Sequence, residues 1–63
     1  MLGVNGKIRK IRREKNITQE DIALELGITQ SHYSKIENGK IEIKMSKILQ
    51  IAKVLDVDIK ELF

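Results

Sequence analysis

The chain has 63 residues, 33% charged and 41% hydrophobic, and its 12 Lys and Arg against 9 Asp and Glu give a formal net charge of +3. A chain of this size makes one small domain, here read as residues 1–63, and buries only about 60% of the surface its unfolded form exposes. With no cysteine and one histidine, disulfides, thiolate zinc sites and histidine metal clusters are excluded.

Tyr33 and Phe63 are the only aromatic residues, so the core must be aliphatic. No apolar run approaches the ~18 residues of a membrane span, and no signal-peptide core follows the start. From these features the protein is expected to be cytoplasmic or nuclear, with no membrane partner. Residues 1–15 carry Lys7, Arg9, Lys10, Arg12, Arg13 and Lys15 against Glu14 alone, so the remaining residues net negative. Such asymmetry suits a polyanionic partner and equally suits a solvated helix face.

Val4, Ile8 and Ile11 recur at i, i+4, i+7, which predicts a first helix over about 4–15 with one apolar stripe. Asn16 is the expected stop, because Asn is the next best residue after Gly for a left-handed position past a helix end. A second helix over 19–26 starts after Thr18 as cap, with Asp21 three residues on and Ile17 placed to staple onto Ile22. Gly27 follows, where a tight turn can take positive φ without a Cβ penalty. Ile28 and Thr29 repeat the same start for a third helix over 30–38, closed by Asn38-Gly39. Two short helices with a Gly turn between them, and the small Ala23 on the buried face of the first, form a helix-turn-helix. The second helix of such a pair usually enters the major groove of DNA.

Residues 41–44, Ile-Glu-Ile-Lys, alternate like a strand, but without a partner strand they read as a loop pinned by Ile41 and Ile43. Met45, Ile48, Leu49, Ala52 and Leu55 predict a fourth helix over 45–55, with a poor cap because no Ser, Thr, Asp or Asn stands at 43 or 44. Val57, Asp58, Glu61 and Leu62 repeat the start signal with a fuller Asp-x-x-Glu capping box, predicting a fifth helix over 59–62. The expected fold is all-α, five compact helices with no sheet.

Ile11-Arg12, Ile17-Thr18-Gln19, Ile22-Ala23, Leu26-Gly27-Ile28-Thr29-Gln30, Ile36-Glu37-Asn38-Gly39-Lys40, Ile48 to Asp58 and Leu62-Phe63 stand in one register. In these residues the chain resembles the Cro/repressor helix-turn-helix family, also called XRE or lambda-repressor-like, from about Ile8 to Phe63. Asp56 stands where that family often has Gly, and Ile43-Lys44 replaces its usual Pro-Ser. The resemblance implies a lambda-repressor-like DNA-binding domain in which helices 2 and 3 form the helix-turn-helix.

On the third helix, Tyr33 and Ile36 mark the buried side. Rotation by about 100° per residue then groups Ser31, Ser34, Lys35 and Asn38 opposite, with Gln30 and His32 flanking. Gln can bond adenine bidentately, Lys can donate to guanine, and Ser can serve either. Gln30, Ser31, Ser34 and Lys35 are therefore assigned to base reading, and the resemblance supports Gln30, Ser31 and Lys35. Gln19 opens a helix where free N–H groups favour phosphate. The resemblance implies that it clamps a phosphate and can bond Gln30. Thr18, Asn38, Lys40 and Lys44 complete the expected phosphate contacts, although Thr18 and Thr29 are explained as caps without DNA. The resemblance also implies that Arg12 and Glu37 form a partly buried ion pair that orients the third helix.

The expected function is a sequence-specific, double-stranded-DNA-binding transcriptional regulator: a homodimeric repressor on an inverted-repeat operator, with no cofactor and no metal. Ile59, Leu62 and Phe63 are the expected dimer surface, because three apolar residues gather where little chain remains to cover them. A protein-interaction module, such as the DNA-binding antidote of a toxin–antidote pair, or the N-terminal domain of a longer regulator, fits the same fold. An enzyme is the weakest reading, since there is no Cys nucleophile, phosphate-binding Gly loop or metal-ligand set.

Overall fold

The structure, a computed structural model, describes residues 3–63, so the first two positions of the expected 1–63 domain lie outside the described residues. Four α-helices follow in order: α1 (Val4–Glu14), α2 (Gln19–Leu26), α3 (Gln30–Glu37) and α4 (Met45–Leu55). The expected fifth helix is instead a single 3₁₀ turn, Ile59–Leu62. The reason lies in its hydrogen bonds. Glu61 N bonds Asp58 O at 2.9 Å and Phe63 N bonds Lys60 O at 3.3 Å, both i→i+3 rings. The capping box is present all the same: Asp58 Oδ1 accepts from Lys60 N at 3.0 Å, and Glu61 Oε2 accepts from Asp58 N at 3.1 Å.

All four α-helices end in the same way. Asn16, Gly27, Gly39 and Asp56 take positive φ of 59°, 71°, 71° and 57°. At each end, two crossed backbone bonds satisfy carbonyls that the helix leaves open. After α2, Gly27 N bonds Leu24 O and Ile28 N bonds Ala23 O; after α1, Asn16 N bonds Arg13 O and Ile17 N bonds Arg12 O. After α4, Asp56 N bonds Lys53 O and Val57 N bonds Ala52 O in the same pattern. The αL residue, an apolar residue and a cap then stand in sequence: Asn16-Ile17-Thr18, Gly27-Ile28-Thr29, Asp56-Val57-Asp58. Thr18 Oγ1 accepts from Asp21 N and Thr29 Oγ1 from His32 N, each at 3.0 Å. Each connection is thus as short as the stop and start signals permit.

The exception is the loop after Gly39, which reaches α4 through Lys40–Lys44. Lys44 sits at the α4 N-cap with no side-chain cap bond, as the sequence leads one to expect. No strand forms among the described residues, and Ile43 is half-buried against the core.

Ile8, Ile22, Ala23, Tyr33, Ile36, Ile48, Ile51, Ala52, Leu55 and Leu62 form the core. α2 packs on α3 and α4, while α1 packs on α3, α4 and the 3₁₀ turn. Ala23, 2% exposed, is the small residue on the buried face of α2, which packs on α3 and α4. Leu62 is also part of this core, at 0% exposure. Its expected place in a dimer surface is therefore withdrawn: the chain folds Leu62 inward and leaves Phe63, at 55%, outside.

A Cβ built on Gly27 would meet nothing within 4 Å, so Gly27→Ala tests positive φ without a clash. We expect a loss of about 1 kcal/mol in urea unfolding. Asp56→Gly, which relieves the same strain at the end of α4, should gain about 0.5 kcal/mol after the extra chain entropy of Gly is deducted. A destabilised Asp56→Gly would show that the Asp side chain contributes more than its backbone strain costs.

Candidate nucleic-acid interface

The caps and turns fix where α3 begins and ends, and its sequence decides which side faces inward. Tyr33, Ile36 and Glu37 are buried. Gln30, Ser31, Ser34, Lys35 and Asn38 fall on the opposite face, and with Gln19 and Lys40 they line one open concavity. Of the nine residues expected at DNA, seven thus stand together. Thr18 and Lys44 do not line it. Thr18 is occupied as the α2 cap, and Lys44 lies in a separate groove with His32, Ile41 and Ile43.

Behind this face lies a buried carboxylate. Glu37 is 1% exposed and Arg12 7%. Arg12 Nε donates to Glu37 Oε2 at 2.7 Å and Arg12 Nη2 to Oε1 at 3.0 Å, a two-pronged fork. The third prong, Nη1, donates to Ile17 O at 2.7 Å, tying the same guanidinium to the turn before α2. Gln19 Nε2 donates to Glu37 Oε1 at 3.3 Å. One carboxylate therefore joins α1, α2 and α3, as the family resemblance leads one to expect for Arg12 and Glu37.

Arg9 is a member of this cluster that the sequence shows only as one of the basic residues of the first fifteen. Its Nε lies 3.5 Å from Glu37 Oε1, and its Nη2 donates to Asn38 Oδ1 at 2.7 Å and to Glu37 O at 3.4 Å. Asn5 Nδ2 also donates to Glu37 O, at 3.2 Å. The available signal was the spacing: Asn5, Arg9 and Arg12 fall at i, i+4, i+7, a polar stripe beside the apolar one. These donors satisfy a carbonyl at the C-terminal end of α3, where positive charge is also favoured.

Burial alone would push the Glu37 carboxyl up, but its bond to Arg12, the Tyr33 hydroxyl and Gln19 alongside, and the Arg12 charge outweigh it and hold its pKa below the ordinary 4.5. Arg12 is raised in turn, first by its bond to Glu37. Burial, with the neighbouring Glu37 charge, pushes the Tyr33 phenol far up, so it stays protonated. Tyr33 Oη is buried and finds no hydrogen bond of ordinary geometry among the described residues. Tyr33 is a core residue, not a base-stacking one.

Gln19 and Gln30 share the concavity without a hydrogen bond between them among the described residues. An amide facing a carboxylate must present its nitrogen. With Nε2 donating to Glu37, the Gln19 amide oxygen takes up no donor among the described residues. Among the described residues no group of three or more His, Cys, Asp or Glu could hold a metal ion.

A family model described as Helix-turn-helix, HTH_3, matches residues 8–62. Control protein C.MunI from a Mycoplasma sp is 34% identical over 59 residues, covering 92% of this chain and 80% of that protein. The restriction-modification controller protein C.AhdI from Aeromonas hydrophila has a crystal structure that matches with a TM-score of 0.88 at 30% identity, covering 95% of this chain and 91% of that one. The cryptic phage CTXphi transcriptional repressor RstR of Vibrio cholerae is 33% identical across 92% of this chain, which spans 52% of RstR.

Two predictions follow from the Glu37 cluster. Arg12→Met should cost about 3–5 kcal/mol in urea unfolding by stranding a buried carboxylate, and adding Glu37→Leu should recover most of that loss. Strictly additive losses would mean that the two residues do not act as a pair. The second concerns acid. With the folded pKa of Glu37 below its unfolded value, the unfolded chain binds the proton first as pH falls. The stability tied to Glu37 is complete above about pH 4.5 and is lost as pH drops through the lower, folded pKa. Urea midpoints measured from about pH 7 to about pH 3 should decline only at the acid end, and Glu37→Gln should flatten that decline. An unchanged slope in Glu37→Gln would assign the acid loss to other groups.

Proposed function

The chain belongs to the helix-turn-helix family HTH_3, and from that membership we infer that it is a transcriptional regulator that binds double-stranded DNA through α3. The observation that carries the reading is the single concavity shared by Gln19, Gln30, Ser31, Ser34, Lys35, Asn38 and Lys40. Amide, hydroxyl and ammonium groups converge there on one helix face, and bases in the major groove are read by such groups. The N-terminal half of α3 supplies Gln30 and Ser31 to base edges, as recognition helices do, with Ser34 and Lys35 one turn on. Gln19 and Lys40 flank them, where phosphate contacts would set the register without carrying sequence information; Asn38, expected among these, has its amide engaged by Arg9 and Ser34 instead. No helix among the described residues is long and apolar enough to cross a membrane, and action on DNA fits a cytoplasmic place. The function is binding and not catalysis, as the regulators it resembles suggest.

The finer reading is a homodimeric repressor on an inverted repeat. One recognition helix spans few base pairs, so two half-sites about 34–36 Å apart are needed for useful affinity. With Leu62 in the core, the dimer face is assigned to Phe63 and half-buried Ile59, with Met45 and Leu49, which stand one turn apart on α4 and are 55% and 52% exposed. α4 packs against the 3₁₀ turn, which brings these elements side by side. Repression follows where the operator overlaps a promoter.

Selection from random duplex DNA tests the reading. We expect an enriched palindrome, with affinity falling about 5- to 100-fold in Gln30→Ala or Lys35→Ala and Lys40→Ala lowering the salt slope by about one. Binding with a steep salt slope but no enriched sequence would reduce the function to phosphate attraction. In sedimentation, Leu49→Glu or Phe63→Glu should shift dimer toward monomer; a wild-type monomer both free and on DNA would overturn the dimer.

A further inference from the structure

The side chains of the concavity are not equally free to donate or accept. Arg9 is a pure donor, so its 2.7 Å bond fixes which end of the Asn38 amide faces it: the oxygen. The Asn38 nitrogen is thereby turned toward Ser34 and donates to Ser34 Oγ at 3.3 Å. A serine hydroxyl carries one proton and two lone pairs. With a lone pair engaged by Asn38 and no acceptor taken up by Ser34 Oγ among the described residues, its proton is left for the open face. We propose that Arg9, without touching DNA, is a positioning residue that sets Ser34 as a hydrogen-bond donor, so that the base opposite Ser34 is one that presents an acceptor in the major groove.

This rests on the reading of α3 as the DNA-facing helix and adds a direction to it. Guanine presents two acceptors in the major groove, thymine one, and adenine one beside a donor, while cytosine presents a donor only. A hydroxyl free to rotate would tolerate all four. A hydroxyl held by the Arg9–Asn38 relay discriminates against cytosine. Arg9 is itself anchored by Glu37, 3.5 Å from its Nε, so the relay starts on the buried cluster and ends on the exposed face. The cation fixes the polarity of every bond beyond it.

The test is selection from random duplex DNA with the full chain and four variants. Wild type should disfavour cytosine about five-fold at one position, the size of one net hydrogen bond, and Ser34→Ala should abolish that discrimination and so identify the position. Arg9→Lys, which still only donates, should retain it, and Arg9→Met should weaken it by letting the Asn38 amide turn over. Asn38→Asp is the decisive variant. Its carboxylate keeps Arg9 but accepts the Ser34 proton, leaving only lone pairs outward, so the preference should move toward cytosine or adenine. Asn38 is exposed, and thermal unfolding of each variant checks that the fold is kept. An enriched wild-type sequence that is unchanged in Ser34→Ala or in Arg9→Met, or a wild-type preference retained in Asn38→Asp, would overturn this inference alone. No enriched sequence for wild type would overturn the DNA reading and this inference with it.

Discussion

A buried carboxylate is costly unless its charge is matched and its lone pairs are filled. Glu37 meets that condition with groups from two other elements: the Arg12 fork from α1 and the Gln19 amide from α2. Removing any of these partners leaves charge or lone pairs exposed to an apolar interior, so the relative placement of the three helices is not free to drift. Hydrophobic packing alone would tolerate small slides of α3 along α2, since dispersion contacts are many and individually weak. A two-pronged bond at 2.7 and 3.0 Å tolerates much less. What the ion pair adds in net stability is small beside the core; what it adds is position.

That position is useful because the local structure already limits the alternatives. The four left-handed helix ends and the caps that follow them turn the chain within three residues at Asn16-Ile17-Thr18 and Gly27-Ile28-Thr29. Short connections leave few ways to dock α1, α2 and α3, and the aliphatic core selects among them by burying Ile8, Ile22, Tyr33 and Ile36 together. Local signal, core pattern and buried polar network thus point to one arrangement, which is the condition for a small chain to have a single folded state.

This also explains what the sequence made legible. Helix starts and stops depend on a residue and its neighbours up to four away, so Thr18, Thr29, Asp58, Asn16, Gly27 and Gly39 announce them directly. The Asp56 turn is legible for the same reason, because Asp tolerates αL better than most residues. The face of α3 follows from rotation about one helix axis, which is why Gln30, Ser31, Ser34, Lys35 and Asn38 could be grouped before the fold was known. Other features depended on distances between elements. Whether Leu62 points inward is decided by α1 and α4, and the 3₁₀ geometry of its turn by how the last residues pack. Arg9 looked like surface charge because its partners, Glu37 and Asn38, lie 28 and 29 residues away. Lys44, expected among the phosphate contacts, follows the long loop after Gly39 and lines a separate groove with His32, Ile41 and Ile43.

Arg9 also changes how the charge of the chain should be understood. The first fifteen residues look like a basic segment made to attract a polyanion. Yet Arg12 is buried on Glu37, Arg9 is spent between Glu37 and Asn38, and Lys7 bonds the main-chain oxygen of Phe63. Half of that local charge is therefore committed to holding α1 against α3 and the 3₁₀ turn. The cations that line the concavity itself are Lys35 and Lys40, from the part of the chain whose sequence nets negative. Sequence charge density consequently points to α1, whereas the cations of the concavity belong to α3 and the turn after it. Potential at a binding face depends on which charges are paired, and pairing is settled only when the helices dock. In this small fold Arg9 and Arg12 build the frame, while Lys35 and Lys40 stand on the open concavity.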